Sequence, residues 1–146
     1  NLIDWWTADD AARFDERSKV LVTYFDSIRV LGDVRANGTY TLGENIADHG
    51  GLQIGYNAFL QTKQGRSSKP LDGYTPQQRF FLAYANVWAG NIRDEEILRL
   101  TKLDVHSLGK WRVNGALPHI NAWYEAFNIG EDSPMFLPVE KRASIW

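Results

Sequence analysis

The stretch Thr41-Leu42-Gly43-Glu44-Asn45-Ile46-Ala47-Asp48-His49-Gly50-Gly51-Leu52 places two carboxylates and a glycine pair within an apolar run. If the run is helical, Glu44 and Asp48 lie one turn apart on the same face. An adjoining stripe of small residues, which another helix could approach closely, would consist of Ala47, Gly51, Gly55 and Ala58. Glycine inside a helix costs about 1 kcal/mol relative to alanine, so close packing or ligand access would have to compensate. The alternative is a helix whose acidic turn is simply solvated.

Composition limits the classes of protein to consider. The chain has 146 residues, of which 44% are hydrophobic and 13% aromatic, enough for one compact domain with a sizeable core. The net charge of −2 gives no broad electrostatic reason to bind nucleic acid or an anionic membrane. The chain has no cysteine, which excludes disulfides and thiolate metal sites. No apolar stretch is long enough to cross a bilayer.

The spacing of apolar residues outside this stretch predicts a mainly α fold. Thr7 and Asp10 are typical of a capped helix start, and a buried face would follow at Ala11, Phe14, Ser18, Leu21, Phe25 and Ile28. A helix is expected from Leu42 to Gln61, with Ile54, Ala58 and Phe59 as buried candidates. Further helices are expected after Thr75-Pro76, over 93–103 and over 120–127, with one short extended piece at 34–36.

Two aromatic segments carry expectations about burial. The run 80–90 is apolar on nearly every side and is predicted to be an interior helix. Trp5-Trp6 is predicted to be a hydrophobic plug ahead of the first helix, with a functional aromatic patch as the alternative.

A second stretch with chemical content is Asp104-Val105-His106-Ser107-Leu108-Gly109-Lys110-Trp111-Arg112-Val113-Asn114-Gly115. Taken alone, one histidine near an aspartate and an arginine indicates a surface or hydrogen-bonded structural histidine.

Together the two stretches resemble the neprilysin and endothelin-converting-enzyme family of zinc metallopeptidases. Gly43 to Asp48 followed by Gly50-Gly51 resembles the segment that supplies the third zinc ligand there, with Asn37-Gly38 ahead of it. The family also carries Asp-x-His-Ser and Arg-x-x-Gly at the spacing of the second stretch, and a similar ending to 134–138 and Trp146. The resemblance implies that residues 1–146 are the helical C-terminal portion of a thermolysin-like, gluzincin catalytic domain.

The resemblance also implies roles in a zinc site. Glu44 would be the third protein ligand of a catalytic Zn²⁺, beside two histidines of an upstream H-E-x-x-H helix. Asp48 would accept a hydrogen bond from a metal-bound histidine and fix its orientation. Two histidines and one carboxylate leave a coordination position for a reactive water.

Other residues would act on the substrate. By the resemblance, His106 hydrogen-bonds the oxyanion of the tetrahedral carbonyl, Asp104 orients His106, and Arg112 binds a substrate carbonyl. Val87 and Trp88 would line the pocket for the side chain after the cleaved bond. The alternative role is ordinary core, and the two roles are compatible because a pocket wall is also packed from behind. Leu108 departs from the proline that many relatives have.

No His-Glu pair occurs in the 146 residues, so the H-E-x-x-H motif is missing. We therefore expect the C-terminal part of a larger metalloendopeptidase, which cuts peptides on the amino side of hydrophobic residues and is inactive without its upstream part. The alternative is a non-catalytic helical module that binds a peptide or protein.

Two further expectations concern the setting of the chain. Apolar surface that the upstream part normally covers would let the fragment self-associate. The resemblance implies an extracytoplasmic location, in the periplasm, secreted or anchored through a segment outside this chain, with the cytoplasm as the alternative.

Overall fold

The computed structural model describes Ile3 and residues 5–145, and the prediction on Trp146 falls outside them. The expected mainly helical architecture is confirmed. The α-helices are α1 (Ala8–Asp26), α2 (Leu42–Leu60), α3 (Pro76–Val87), α4 (Asp94–Leu103), α5 (Gly109–Asn114) and α6 (Asn121–Phe127). Two 3-10 turns follow α5 and α6, at Leu117–His119 and Val139–Lys141.

A small antiparallel hairpin joins α1 to α2. Strand β1 (Arg29–Leu31) pairs with β2 (Val34–Arg35), which confirms the extended piece and adds a partner strand that the sequence did not indicate. Gly32 lies in the turn with a φ of +54°, a left-handed conformation that glycine adopts without steric cost.

Local signals in the sequence explain the helix starts. The Thr7 side chain accepts a hydrogen bond from the Asp10 backbone N–H and caps α1. At α3, Thr75 and Gln78 form a reciprocal capping box, and Pro76 occupies the first turn, where its missing N–H costs nothing.

Two hydrophobic clusters hold the helices together. The larger joins α2 and α3 to the segment from α5 to α6 through Leu52, Phe81, Val113, Ala116, Leu117, Ile120, Trp123 and Tyr124. The smaller joins α1, the start of α2 and the C-terminal segment through Leu21, Phe25, Ile28, Ile46, Ala143 and Ile145. As a result α2 contributes to both clusters and lies at the centre of the fold.

Three expectations about burial are wrong. Trp5 is 85% exposed and Trp6 is 43% exposed, so the pair does not plug the core, although Trp6 packs edge-on against Phe14 with ring centroids 5.3 Å apart. One side of α3 is open, with Val87 71% exposed and Leu82 40% exposed, so α3 is not an interior helix. Ile54 of α2 is also 71% exposed, in line with the small-residue stripe, of which Ala47, Gly51 and Ala58 are exposed. In the described part of the chain, nothing covers these faces.

No helix among the described residues combines the length and hydropathy that a bilayer span needs.

Candidate active site

Helix α2 presents the two carboxylates of the first stretch at one end of the fold. Glu44 lies in the first turn of α2, and Asp48 lies one turn later, as the spacing predicts. The Glu44 side chain is 39% exposed, whereas that of Asp48 is only 10% exposed. Glu44 is therefore at the surface, whereas Asp48 is largely buried.

His106 contacts two carboxylates from different parts of the chain. Its Nε2 lies 3.1 Å from Glu44 Oε2, and its Nδ1 lies 2.8 Å from Asp104 Oδ1. Glu44 and Asp104 are both hydrogen-bond acceptors, so each ring nitrogen of His106 faces an acceptor. The folded chain thus brings the predicted metal ligand and the predicted oxyanion donor into direct contact.

Asp104 is held by the loop that carries His106. Its Oδ1 also accepts a hydrogen bond from the His106 backbone N–H at 3.0 Å. These two hydrogen bonds, from the backbone and from the ring of His106, hold the pKa of Asp104 below its usual value. Asp104 therefore stays ionised and fixes the orientation of the imidazole.

Arg112 of α5 binds Asp48 through a bidentate pair. Its Nε donates to Oδ2 at 2.8 Å and its Nη2 donates to Oδ1 at 2.7 Å, which leaves Nη1 outside the pair. The side chains are 15% and 10% exposed, respectively. Hydrogen bonding to Asp48 raises the pKa of Arg112. The sequence predicted a role for each residue but not their pairing.

Tyr84 of α3 and Trp88, which directly follows α3, support Arg112. The guanidinium lies over the Trp88 ring, 3.8 Å from its centroid, and Tyr84 Oη donates to the Arg112 carbonyl oxygen at 2.9 Å. Burial raises the pKa of Tyr84 to about 12, so its hydroxyl remains a donor at neutral pH. A Cβ at Gly109 would lie 2.8 Å from the Trp88 carbonyl oxygen, so glycine is needed for α5 to start this close to α3.

These residues border a cavity of about 270 Å³ between α3 and the loop after α4. Its lining includes Trp88, Asp104, His106 and Arg112, together with Ile92, Leu100, Ser107, Leu108 and Gly109. Val87 is not among the lining residues. Of the two predicted pocket residues, only Trp88 contributes to this cavity.

Sequence reasoning missed the polar side of α2. Thr41, Asn45 and His49 recur at four-residue intervals and are buried, with 6%, 2% and 1% exposure. Ser107 Oγ donates to Asn45 Oδ1 at 2.7 Å and connects this side to the His106 loop. The four-residue spacing of polar residues, opposite the small-residue stripe, was the signal that could have indicated them.

Known proteins resemble this chain over its whole length. Neprilysin of Homo sapiens is 37% identical over 151 residues, and Neprilysin-21 of Caenorhabditis elegans is 35% identical over 153 residues. Each match covers 100% of this chain and 20% of the relative, so the chain spans about a fifth of the relatives' length.

Solved structures of two peptidases also match this chain over its whole length. The zinc metalloprotease Zmp1 of Mycobacterium tuberculosis, in complex with an inhibitor, superposes with a TM-score of 0.93 at 36% identity, over 100% of this chain and 23% of that one. PepO from Lactobacillus rhamnosis gives a TM-score of 0.84 at 34% identity, over 100% of this chain and 22% of that one. The model of Peptidase family M13 matches residues 1–143, and the chain therefore belongs to Peptidase family M13.

Proposed function

We propose that this chain is the C-terminal part of the catalytic domain of a zinc-dependent metalloendopeptidase. The observation that carries the proposal is the contact between Glu44 Oε2 and His106 Nε2 at 3.1 Å. Both side chains are partly exposed to solvent there. Membership in a peptidase family and the zinc metalloprotease among the solved neighbours support it.

The donor set fits zinc as one part of a larger site. Glu44 offers a half-exposed carboxylate, whereas Asp48 is already occupied by Arg112. No group of three or more His, Cys, Asp or Glu side chains is placed to hold a metal ion within Ile3 and 5–145. We infer that Glu44 is one ligand of a Zn²⁺ site whose other ligands come from an upstream part of the same polypeptide. Such a metal would activate the attacking water.

His106 would act on the peptide carbonyl. An imidazole N–H directed at the place where negative charge develops stabilises the tetrahedral state more than the planar substrate. Asp104 binds the backbone N–H and the Nδ1 of His106, so Nε2, on the side of Glu44, is the ring nitrogen that would face the carbonyl.

Arg112 and Trp88 would position the peptide. The bidentate bond to Asp48 and the contact with Trp88 fix the guanidinium, so Nη1 can donate to a substrate carbonyl without further ordering. We also propose the role that the family resemblance implies for Asp48, to orient a metal-bound histidine while it holds Arg112. We propose cleavage on the amino side of hydrophobic residues, with Trp88 at the side-chain pocket. Val87, which does not line the cavity of this chain, would contribute only where the upstream part completes that pocket.

Two further proposals concern the activity of the isolated chain and the location of the protein. A single carboxylate cannot hold catalytic zinc at useful affinity, so the 146-residue chain should be inactive without its upstream part. An extracytoplasmic location is also proposed, supported by relatives that bear the name Membrane metallo-endopeptidase-like 1.

The test is a peptidase assay on a polypeptide extended upstream through the H-E-x-x-H segment. His106→Gln should lower kcat by about 10²- to 10³-fold with a much smaller change in KM, because the donor acts mainly in the transition state. Arg13→Gln, at an exposed site on α1, serves as the control and should leave kcat unchanged.

A peptide with a hydrophobic residue after the cleaved bond should be cut faster than one with aspartate there. Equal kcat for His106→Gln and the unaltered polypeptide would contradict the role of His106. Robust metal-dependent cleavage by the 146-residue chain would contradict its predicted inactivity. A folded extended polypeptide that binds peptides but cuts none would favour the alternative, a non-catalytic binding module.

A further inference from the structure

The loop that carries His106 is attached to the start of α2 on both sides of the histidine. Before it, Tyr40 Oη donates to the Leu103 carbonyl oxygen at 3.2 Å. After it, Ser107 Oγ donates to Asn45 Oδ1 at 2.7 Å. We propose that Asn45 is a positioning residue that keeps His106 at its distance from Glu44 by holding Ser107. The inference rests on the proposed function of His106.

The orientation of the Asn45 amide is determined by its neighbours. Asn45 Nδ2 donates to Thr41 Oγ1 at 2.9 Å, and Thr41 Oγ1 donates its own proton to the Asn37 carbonyl oxygen at 3.0 Å. Because that hydroxyl proton is used, Thr41 can only accept from Asn45. Asn45 Oδ1 must then face Ser107, whose hydroxyl has to be the donor.

The positions in the chain make this hydrogen bond effective. Asn45 follows Glu44 directly, and Ser107 follows His106 directly. The hydrogen bond between Asn45 and Ser107 therefore restricts the position of His106 relative to Glu44. Asn45 is 2% exposed and belongs to a regular helix, which gives the loop a rigid point of attachment.

The contact between His106 and Glu44 is not sufficient to hold the loop by itself. The two side chains are 43% and 39% exposed, and even charged pairs at exposed positions contribute little to order. The Asn45–Ser107 hydrogen bond is part-buried, with Asn45 only 2% exposed, so water competes with it less than with the exposed contact. Asn45 therefore acts on the reaction through Ser107 and His106 and does not touch the substrate.

The test compares Ser107→Ala, which removes the hydroxyl, with Ser107→Thr, which keeps it. Ser107 is half-buried at the loop, so its truncation is milder than any change of the buried Asn45. Ser27→Ala is the matched control, because Ser27 Oγ also makes one hydrogen bond, to the Tyr24 carbonyl oxygen, far along the chain from the loop.

The first readout uses this chain and needs no metal. Backbone NMR order parameters for residues 104–107 should fall from about 0.85 toward 0.6 in Ser107→Ala and stay near the original value in Ser107→Thr and Ser27→Ala. The second readout uses the upstream-extended polypeptide loaded with zinc. There Ser107→Ala should lower kcat about tenfold with KM unchanged, and Ser107→Thr should restore kcat.

Unchanged order parameters in Ser107→Ala would overturn the proposal, as would a loss of kcat that Ser107→Thr does not restore. If the extended polypeptide cleaves no peptide at all, the proposed function fails. The order parameters then still decide whether Asn45 and Ser107 position His106, so the two failures are distinguishable.

Discussion

Removal of Asp48 should destabilise the chain strongly, because it leaves the Arg112 guanidinium without its partner. Both hydrogen bonds of the pair are short, at 2.7 and 2.8 Å, and the Arg112 side chain is only 15% exposed. Loss of one member of a fully buried pair costs about 3–5 kcal/mol. Since this pair retains some exposure, we expect Asp48→Ala to lower the free energy of unfolding by about 2–3 kcal/mol. For a chain of this size, the corresponding loss in Tm is about 4–12 °C.

The assay is a double-mutant cycle measured by urea unfolding. Asp48→Ala, Arg112→Met and the double variant are compared with the unaltered chain, with tryptophan fluorescence as the signal. In the double variant no charge is left unpaired, so its loss of stability should be at least about 1 kcal/mol smaller than the sum of the two single losses.

The chain offers a matched control pair at the surface. Arg99 and Glu96 of α4 form the same forked contact, with both N–O distances at 2.7 Å, but their side chains are 56% and 44% exposed. The cycle on Glu96→Ala and Arg99→Met should show no resolvable coupling, because water already solvates both groups. Equal coupling in the two cycles, or additive losses at Asp48 and Arg112, would refute the reasoning that burial makes the Asp48 pair strong.

Three further predictions concern stability, all measured by urea unfolding. Burial lowers the pKa of His119 to about 4, so on acidification His119 is protonated in the unfolded chain before it is protonated in the folded chain. The free energy of unfolding should therefore fall by about 3 kcal/mol in total as the pH drops from about 6.5 to 4. His119→Asn keeps an acceptor for the Ala143 N–H and should show a shallower fall; identical pH profiles would contradict the assignment. Gly38→Ala should destabilise by more than about 1 kcal/mol, since its Cβ would collide with the Val22 backbone carbonyl. Gly51→Ala, with open space around the added Cβ inside α2, should instead stabilise by about 0.5–1 kcal/mol, and equal signs for the two glycines would be inconsistent with this packing. Thr75→Ala should cost about 1 kcal/mol through the lost α3 cap, whereas Thr75→Ser should cost little; similar losses would argue against the cap.

Helix positions could be predicted from the sequence because their signals are local. The expected span of α2, from Leu42 to Gln61, agrees with Leu42–Leu60 within one residue. The capped start at Thr75-Pro76 is confirmed as a full capping box. Turn length, capping groups and apolar spacing all act within a few residues, so no knowledge of the tertiary structure is needed.

Burial could not be predicted as well, because it depends on what covers a face. The apolar run of α3 favoured an interior helix, yet Val87 is 71% exposed. The same holds for Trp5 and Ile54. Periodicity shows that a face is apolar, but it does not show whether another segment packs against that face.

The candidate site was predicted in its residues but not in its connections. Asp48 and Arg112 were each expected to have a role, yet their pairing across 64 positions followed only from the structure. The same applies to Ser107 and Asn45, which meet across 62 positions. Contacts between distant parts of a chain are set by tertiary packing, which local patterns do not encode.

The most direct test of the proposed function is the zinc stoichiometry of this chain and of the polypeptide extended upstream, each with and without Glu44→Ala. Calorimetry and elemental analysis should find about one zinc per extended polypeptide, a loss of that zinc in Glu44→Ala, and none on the 146-residue chain. An extended polypeptide that binds no zinc, or binds it equally well in Glu44→Ala, would contradict the proposal that this chain supplies a ligand to a catalytic metal.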